Sequence, residues 1–414
     1  MRLTRNTPRS LLKRGLIGML YAQITIIVSL MTTSGIRKIL RGSGAKAFPR
    51  TDPTTTAIGV DNTATTFTYG EDLFGDMLGA IAGAQHRILF ETYIWKGDAV
   101  GKKFKQALIA AADRGVEVYV IYDGFANLVV RRSFFQFGPK IKVLRYPIFS
   151  VGMLWLSFRR LGRDHRKILV VDGVVGYVGG YNIGEEYATK WRDTHIKISG
   201  PSVWDLDNAF VDFWNLGHSD ADKLAEHGSA SWDPHIRAHR NVPRQLIFPI
   251  RGMYLEALDR AQRHILITQA YFIPDGDILR ALLDAAARGV RVRILVPDIS
   301  NHVVADWLSR GFYSELLDGG VEILLYENAM VHAKTATIDG KWSTIGTANI
   351  DRLSLTGNYE INLEILDDEV AAHMEVVFAN DLTNAHELTA DEWHSRPWVA
   401  KACELILAPL RPLL

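Results

Sequence analysis

The chain has 414 residues, of which 48% are hydrophobic and 22% are charged, and these proportions exclude a disordered protein. One cysteine, Cys403, excludes an internal disulfide framework and any zinc site built from cysteines. The formal net charge of +1 hides an asymmetry, because residues 1–50 contain basic residues and no acidic residue, whereas the remainder is acidic. Since nucleic-acid binding depends on neutralising phosphates, we expect no nucleic-acid partner for this acidic body.

Residues 1–50 form a basic arm around an apolar stretch, GLIGMLYAQITIIVSLM, at 15–31. About 20 apolar residues cross a bilayer as a helix, so this stretch is a membrane-anchor candidate. An interfacial helix, a cleaved secretory signal and a transit peptide remain open as alternatives. Basic residues flank the stretch on both sides, so the positive-inside rule gives no orientation. We predict that the chain is attached to a membrane through this segment.

Residues 51–68 are polar and rich in threonine, and we predict a linker there. Beyond it, a pattern of strand, helix and strand occurs twice. The first copy contains AQHRILFETYIW at 84–95 and RGVEVYVIYDG at 114–124; the second contains AQRHILITQAYFIP at 261–274 and RGVRVRILVPD at 288–298. Each Arg-Gly-Val turn has a glycine suited to ending a helix. The sequence therefore predicts duplicated α/β units at 69–220 and 245–385, followed by an apolar, amphipathic tail at 386–414.

A shorter block is repeated without any insertion. DHRKILVVDG at 164–173 matches VHAKTATIDG at 331–340, and the matched positions stay 167 residues apart well beyond these decapeptides. The matched pairs are His165 and His332, Lys167 and Lys334, Asp172 and Asp339, Gly179 and Gly346, Asn182 and Asn349, and Asp193 and Glu360. A shared register over so many polar and glycine positions indicates one site that is made twice.

These residue types suit a phosphate. A lysine neutralises the non-bridging oxygens while a histidine attacks phosphorus or transfers a proton. Asn182 and Asn349 follow glycine-containing turns that let amide donors approach the same anion. Asp193 and Glu360 come 28 residues after their histidines. We expect each to accept the second N–H of its imidazole, to fix its tautomer and to raise its pKa.

The pattern H-x-K-x4-D-x6-G-G/S/T-x-N, present twice, resembles the paired motif of the phospholipase D superfamily. The resemblance implies an α/β fold of two pseudo-symmetric α-β-α repeats, each a mixed β-sheet flanked by helices, that share one active site at their interface. It implies that one histidine forms a phosphohistidine while the other protonates the leaving alcohol, with no metal and no cofactor. The resemblance assigns catalysis to His165, Lys167, His332 and Lys334, and a more structural role to the motif aspartates Asp172 and Asp339. It assigns phosphate binding to Asn182 and Asn349. It assigns orientation of the histidines to Asp193 and Glu360. Which histidine attacks stays open.

Longer stretches, including FETYIWKGDAVGKKF, QAYFIPDGDILRALLDAAARGV and GTANIDRLSLTGNYEIN, look like bacterial cardiolipin synthases, and this resemblance covers residues 66–414. It implies that two phosphatidylglycerols are joined to cardiolipin with release of glycerol. The expected location is the bacterial cell membrane, with the catalytic body on the cytoplasmic side.

Several alternatives remain open. A hydrolytic phospholipase D, another transphosphatidylase and a nuclease belong to the same superfamily, and a binding protein on an inactive enzyme fold is the non-enzymatic alternative. The segment at 146–163 mixes aromatic residues with arginines directly before His165. It suits an interfacial lipid-binding surface or a buried helix with a charged end. The oligomeric state is not predicted.

Overall fold

The computed structural model describes residues 8–41, 47–148, 162–229 and 232–413. Most of the segment at 146–163, and with it the expectation of an interfacial surface there, lies outside the described residues. The chain begins with one long helix, α1 (Pro8–Arg41). After it, strands and helices alternate in an order that repeats once along the chain.

Within the described residues, the strands form two eight-stranded mixed sheets and one short two-stranded pairing. The strands of the first half are β1 (Thr54–Ile58), β2 (Asn62–Phe67), β3 (Arg87–Thr92), β4 (Glu117–Asp123), β5 (Ile141–Tyr146), β6 (Ile168–Val171), β7 (Val175–Gly179), β8 (Trp191–Arg192) and β9 (His195–Ser199). Those of the second half are β10 (Ile236–Asn241), β11 (His264–Gln269), β12 (Arg291–Pro297), β13 (Glu322–Tyr326), β14 (Met330–Val331), β15 (Lys334–Ile338), β16 (Trp342–Gly346), β17 (Glu360–Leu366) and β18 (Ala385–Leu388).

The two large sheets share a common order of strands. The first runs β1-β2-β9-β7-β6-β3-β4-β5 and the second β10-β17-β16-β15-β11-β12-β13-β18. In both, three neighbouring strands are parallel (β3, β4 and β5; β11, β12 and β13), and antiparallel strands continue the sheet on the side that carries the histidine motif. The expected pair of mixed α/β repeats is confirmed.

Helices flank both sheets. Those of the first half are α2 (Gly70–Gly83), α3 (Ala99–Asp113), α4 (Glu185–Thr189) and α5 (Trp204–Leu216). Those of the second half are α6 (Pro249–Arg260), α7 (Gly276–Ala287), α8 (Val303–Arg310), α9 (Tyr313–Asp318), α10 (Arg352–Thr356), α11 (Asp368–Leu382), α12 (Ala390–His394) and α13 (Trp398–Leu407). Alternation along β3 explains the layering, because Ile88 and Phe90 pack with α2 and α3 while Leu89 packs with α5.

The repeated Arg-Gly-Val turn ends α3 and α7 as the sequence predicts. Gly115 and Gly289 adopt φ angles of 99° and 88°, which an L-residue rarely tolerates. The opposite ends of these helices are capped by Asp98 and Asp275, whose carboxylates accept backbone N–H groups of the first turn. The same start and stop signals therefore fix the same helix in both halves.

The prediction of a linker at 51–68 is wrong, because β1 and β2 form a hairpin on the edge of the first sheet. Threonine is polar but β-branched, which favours an extended backbone. Ala64 and Phe67 are buried, and the hydroxyls of Thr55 and Thr65 are 2.8 Å apart across the hairpin. Alternating burial makes this polar segment a strand.

The predicted tail at 386–414 also needs a correction. Its first residues belong to β18, which pairs with β13 and buries Leu388. Helices α12 and α13 follow. The second sheet therefore extends past the predicted end of its repeat.

A shared core joins the two sheets. Val178 and Ile196 of the first sheet cluster with Ile345 and Leu363 of the second, and all four are completely buried or nearly so. This contact brings the motif strands of the two halves together. It is the apolar support beneath the site described below.

Helix α1 packs one face against α8 and α13. Ile26, Ile27 and Leu30 contact a cluster that contains Leu308 of α8 and Leu407 of α13. The buried Gln23 donates its Nε2–H to the carbonyl oxygen of Ile406 at 3.0 Å, which gives this amide of the apolar stretch a hydrogen-bond partner. Among the described residues, α1 is the helix long and apolar enough to cross a membrane, over Gly15–Thr33, and nearly all of that stretch is exposed.

Candidate active site

Each histidine motif is held by the opposite repeat. The backbone N–H of His165 donates to the carbonyl oxygen of Tyr359 at 3.0 Å, and that of His332 donates to the carbonyl oxygen of Arg192 at 2.7 Å. The second contact extends the parallel pairing of β14 with β8. The residues that follow these two carbonyls are Glu360 and Asp193. The cross-repeat hydrogen bonds therefore bring a carboxylate to each imidazole.

The histidine–carboxylate pairs cross between the repeats. His165 Nδ1 lies 2.9 Å from both carboxylate oxygens of Glu360. His332 Nδ1 lies 2.6 Å from Oδ2 of Asp193. The expectation that each carboxylate orients the histidine of its own repeat is therefore wrong in its pairing. Engaging Nδ1 leaves Nε2 of each ring as the nitrogen that can face a phosphorus atom.

The two lysines are buried beside the histidines. Lys167 donates from Nζ to the carbonyl oxygen of His165 at 2.7 Å, and Lys334 donates likewise to the carbonyl oxygen of His332. Burial lowers the pKa of Lys167 to about 8 and that of Lys334 to about 7. A bound anion reverses this effect because it stabilises the charged ammonium. Both lysines thus hold their ammonium protons less firmly than an exposed lysine does.

The asparagines flank the same centre. Asn182 follows β7 and Asn349 follows β16, and both are buried. Oδ1 of Asn182 accepts the backbone N–H of Ile94 at 3.2 Å, which leaves its amide N–H groups as donors. Oδ1 of Asn349 is buried with no hydrogen-bond partner in the described part of the chain. Asn182 and Asn349 thus differ in how their amide oxygens are satisfied.

Asp172 and Asp339 serve the fold. Both have positive φ angles, 54° and 57°, in the turns after β6 and β15. Each accepts three consecutive backbone N–H groups at 2.8–2.9 Å, from Gln85 to Arg87 in the first repeat and from Gln262 to His264 in the second. Burial acts to raise the pKa of each aspartate, but these donors outweigh it and lower the pKa. The motif aspartates thus fasten the start of β3 and β11, away from the imidazoles.

The surroundings of both imidazoles favour their neutral form. Burial, together with the lysine ammonium groups, lowers the pKa of His165 well below its usual range and that of His332 to about 3. Asp193 acts to raise the pKa of His332, as expected of a carboxylate partner, but desolvation and positive neighbours outweigh it.

The two carboxylates differ. Burial raises the pKa of Glu360 to about 8, although Lys167 opposes this shift. Burial also acts to raise the pKa of Asp193, but His332 and Lys334 outweigh it and lower the pKa. At neutral pH, Asp193 is therefore ionised and Glu360 is mostly protonated.

The residue after the first glycine of the turn differs between the repeats, and in each repeat it suits the neighbouring carboxylate. Thr347 donates its hydroxyl to Glu360 at 2.6 Å. The aligned residue of the first repeat is Gly180, where a Cβ atom would lie 2.1 Å from Oδ1 of Asp193. The threonine of GTAN and the second glycine of GGYN thus have different tasks, which the sequence pattern alone did not separate.

Aromatic rings complete the walls of the site. The Tyr93 ring lies edge-on to His165 with centroids 4.6 Å apart, and the rings of Trp191 and Tyr271 lie 5.1 and 6.4 Å from His332. Sequence reasoning missed these residues. Trp191 directly precedes Arg192 and Asp193, and that position was the available signal. Within the described ranges, no three His, Cys, Asp or Glu side chains are arranged to hold a metal ion.

Two similar α/β halves that exchange carboxylates across one pair of HxK motifs define the phospholipase D class of fold and site. A family model described as "Cardiolipin synthase, PLD-like domain" matches residues 77–214 and 254–382. The chain belongs to this family, and with it to the phospholipase D-type phosphatidyltransferases.

Named relatives agree with this assignment. The major cardiolipin synthase ClsA of Bacillus subtilis is 33% identical over 376 residues, which cover 86% of this chain and 76% of the relative. Cardiolipin synthase 2 of Staphylococcus epidermidis is 33% identical over 372 residues, with 86% and 75% covered. The crystal structure of phosphatidylserine synthase from Haemophilus influenzae superposes with a TM-score of 0.67 at 13% identity, covering 87% of this chain and 95% of that chain. This last likeness concerns the fold.

Proposed function

We propose that this protein joins two phosphatidylglycerol molecules into cardiolipin and releases glycerol, through a phosphohistidine intermediate. The observation that carries the proposal is the crossed pairing of His165 with Glu360 and of His332 with Asp193 around two buried lysines. Neither repeat contains a complete histidine–carboxylate pair. The named relatives, which are cardiolipin synthases, support the choice of substrate.

The proposed reaction has two displacements at phosphorus. In the first, Nε2 of one histidine attacks the phosphodiester, the bond from phosphorus to the glycerol oxygen breaks, and the other histidine donates a proton to that oxygen. In the second, the hydroxyl oxygen of another phosphatidylglycerol attacks phosphorus, the P–N bond breaks, and its proton returns to the second histidine. Lys167, Lys334 and the amide groups of Asn182 and Asn349 stabilise the charge on the non-bridging oxygens.

The proposal includes attachment to the bacterial cell membrane, with the catalytic body at its cytoplasmic face. The apolar stretch of α1 supports it, and so do exposed apolar side chains of α13 such as Trp398 and Leu405. Replacing Ile17 and Leu20 by lysine removes exposed apolar surface from α1, and we expect this variant to float less with phosphatidylglycerol vesicles than the wild type. Unchanged flotation would contradict a role for α1. Protease digestion of spheroplasts and of inverted vesicles tests the orientation, because a cytoplasmic body is cut only in the inverted vesicles.

The decisive assay for the chemistry incubates the full chain with labelled phosphatidylglycerol in detergent or vesicles, in the presence of a chelator. Cardiolipin and glycerol in equal amounts support the proposal. Phosphatidic acid alone would identify a hydrolytic phospholipase D, and another phospholipid would identify a different transphosphatidylase. Activity on DNA alone would overturn the lipid assignment.

A further inference from the structure

The loop that joins β4 to β5, at residues 124–140, exposes apolar side chains to solvent. Phe125, Leu128 and Val129 are exposed, and Val129 reaches 86%. We call these three residues the apolar tip. Arg131 and Arg132 follow it and are exposed too, and no acidic residue occurs in the whole loop. The loop therefore combines an apolar surface with positive charge.

Polar side chains fix the backbone of this loop. Asp123 accepts two backbone N–H groups at its start, at 2.8 and 2.9 Å. The buried Asn127 accepts the N–H of Trp95 and donates to the carbonyl oxygens of Tyr93 and Asp123, each at 2.8 Å. The other aromatic side chains of the loop turn inward and pack around Trp95; they are Phe134, Phe135 and Phe137. The apolar tip is thus held in solvent by a well-anchored loop, which is typical of a surface that another molecule covers.

The loop borders the active site on the side of His165. Strand β4 is parallel to β3, whereas β6, which follows His165, is antiparallel to β3, so the loop and His165 lie at the same end of the first sheet. Asn127 holds the backbone of Tyr93, whose ring lies edge-on to the imidazole of His165. Asp123 accepts the backbone N–H of Asp164, the residue before His165, at 3.3 Å. A surface that covers the apolar tip therefore also lies beside His165.

The two repeats are related by an approximate twofold axis. The cross-repeat hydrogen bonds of His165 and His332 are reciprocal, as such an axis requires. In the second repeat, the chain that follows β12 leads into α8, which packs against α1. The β4–β5 loop follows β4, the strand equivalent to β12. A twofold axis keeps equivalent elements at the same height along it, so the loop lies on the same side of the molecule as α8, across the site from it.

We propose that the apolar tip inserts into the interfacial region of a bilayer of anionic phospholipids, with Arg131 and Arg132 against the lipid phosphates. This inference rests on the proposed function, in which both substrates come from such a bilayer. Exposed apolar side chains beside guanidinium groups complement a surface that is apolar inside and anionic outside. The loop then brings the His165 side of the site to the lipid, while α1 does so beside α8.

A fluorescent reporter on the tip tests the insertion. Cys403 is the single cysteine of the chain, so Val129→Cys in a Cys403→Ser background can be labelled at one position with the polarity-sensitive dye NBD. We expect its emission to rise and to shift to shorter wavelength when phosphatidylglycerol vesicles are added to the full chain. Lipids with a doxyl group on the acyl chain should quench it.

Val174→Cys, labelled in the same background, is the matched control. Val174 is 57% exposed in the turn after β6, at the opposite end of the first sheet. Its emission should not change. If the label at position 129 behaves like the label at position 174 while the protein floats with the vesicles, the tip does not insert. An emission change that depends on protein concentration without vesicles would indicate contact between copies of the chain, and it would also overturn the proposal.

The two arginines set the dependence on anionic lipid. Each basic residue near an anionic surface contributes about fivefold to binding. We therefore expect the double variant Arg131→Gln and Arg132→Gln to raise the concentration of phosphatidylglycerol vesicles needed for half of the NBD response by about twentyfold. With vesicles of phosphatidylcholine, the variant and its parent should respond alike. Equal responses of both proteins to phosphatidylglycerol would overturn the role of the arginines.

The consequence for catalysis separates a bilayer from a dissolved substrate. Because Val129→Asp puts a charge on the tip, we expect cardiolipin formation from vesicles to fall by about tenfold or more. The rate with dibutanoyl phosphatidylglycerol, which dissolves as a monomer, should change little, and Val174→Asp should leave both rates unchanged. Equal losses with both substrates would contradict a role at the membrane. A wild-type protein that inserts its tip but forms no cardiolipin would overturn the proposed function and leave the insertion standing.

Discussion

The two repeats bring the same groups to the active site, but different buried residues support these groups in each repeat. In the first, Arg166 lies between His165 and Lys167 and binds the buried Glu91 through Nε and Nη2 at 3.0 and 2.6 Å. Asp164, also buried, lies 3.7 Å from the same guanidinium. In the second repeat, the aligned positions hold Val331, Ala333 and Thr268, which are all buried. One motif therefore rests on a charged network and the other on apolar and hydroxyl side chains.

This difference teaches which positions the chemistry constrains. The imidazoles, lysines and asparagines that we propose bind the phosphate agree between the repeats, whereas the layer beneath them does not. The orienting carboxylates are intermediate, since both are acids but differ in length and in protonation. Symmetry between the repeats is thus retained in the proposed site, and it is lost in the buried layer where packing alone decides.

The largest effect should come from breaking the shared site. We expect His165→Ala and His332→Ala each to lower cardiolipin formation by about a thousandfold or more, because each removes a group that no other residue replaces. His235→Ala, an exposed histidine outside the site, should have no effect. Initial rates with labelled phosphatidylglycerol measure this. If either single variant keeps substantial activity, the two repeats do not share one reaction.

The buried charged network of the first repeat can be tested by measuring the free energy of unfolding. Arg166→Met leaves Glu91 and Asp164 buried without their cation, so we expect a loss of about 3–5 kcal/mol in the free energy of unfolding. Arg291→Met removes an arginine that is largely exposed and paired with Glu322, and should cost about 1 kcal/mol or less. Denaturant titration measures both.

A transplant sharpens this comparison. The triple variant Glu91→Thr, Asp164→Val and Arg166→Ala copies the buried residues of the second repeat into the first. We expect it to recover part of the stability that Arg166→Met loses, because no buried charge is left unpaired. If the triple variant is as unstable as the single one, the three buried residues of the second repeat cannot replace those of the first.

The repeats, their register and the residues of the site could be predicted from the sequence, because a fixed offset of 167 residues joins His165, Lys167 and Asn182 to their partners. The exchange of carboxylates between the repeats could not be predicted from the sequence. A symmetric scheme allows Asp193 and Glu360 to pair with the histidine of either repeat, and only the cross-repeat hydrogen bonds from His165 to Tyr359 and from His332 to Arg192 decide between the two.

The protonation states of the imidazoles also could not be predicted from the sequence. A carboxylate partner alone raises an imidazole pKa, and the opposite result depends on how deeply the pair is buried and on how close the lysines lie. The hairpin at Thr54–Phe67 could not be predicted for a related reason. Burial of every second residue, which makes a threonine-rich segment a strand, arises only when the neighbouring β9 is in place.

The two carboxylates should respond unequally to neutral substitutions. Asp193→Asn replaces an ionised partner of His332 by an amide that also donates, so we expect cardiolipin formation at pH 7 to fall by about a hundredfold or more. Glu360→Gln replaces a mostly protonated carboxyl by a neutral group of the same shape, and should cost about tenfold or less. Rates of both variants at one pH give the comparison. Equal losses would mean that the difference in protonation has no functional consequence.

The smallest effect, and the one that tests the electrostatics most directly, is the dependence on pH. Because the pKa values of Lys334 and Lys167 are lowered to about 7 and about 8, their ammonium forms predominate below these values and are lost as the pH rises through them. We therefore expect kcat/KM, which reports the free enzyme, to decline above pH 7–8 by up to about tenfold per pH unit for each essential proton. A bound phosphodiester stabilises the ammonium groups, so the decline in kcat should begin at higher pH. Lys167→Arg keeps its charge across this range, and its kcat/KM should depend less steeply on pH even if its rate is lower. Coincident limbs for kcat and kcat/KM in the wild type would show that the substrate phosphate does not interact with these lysines.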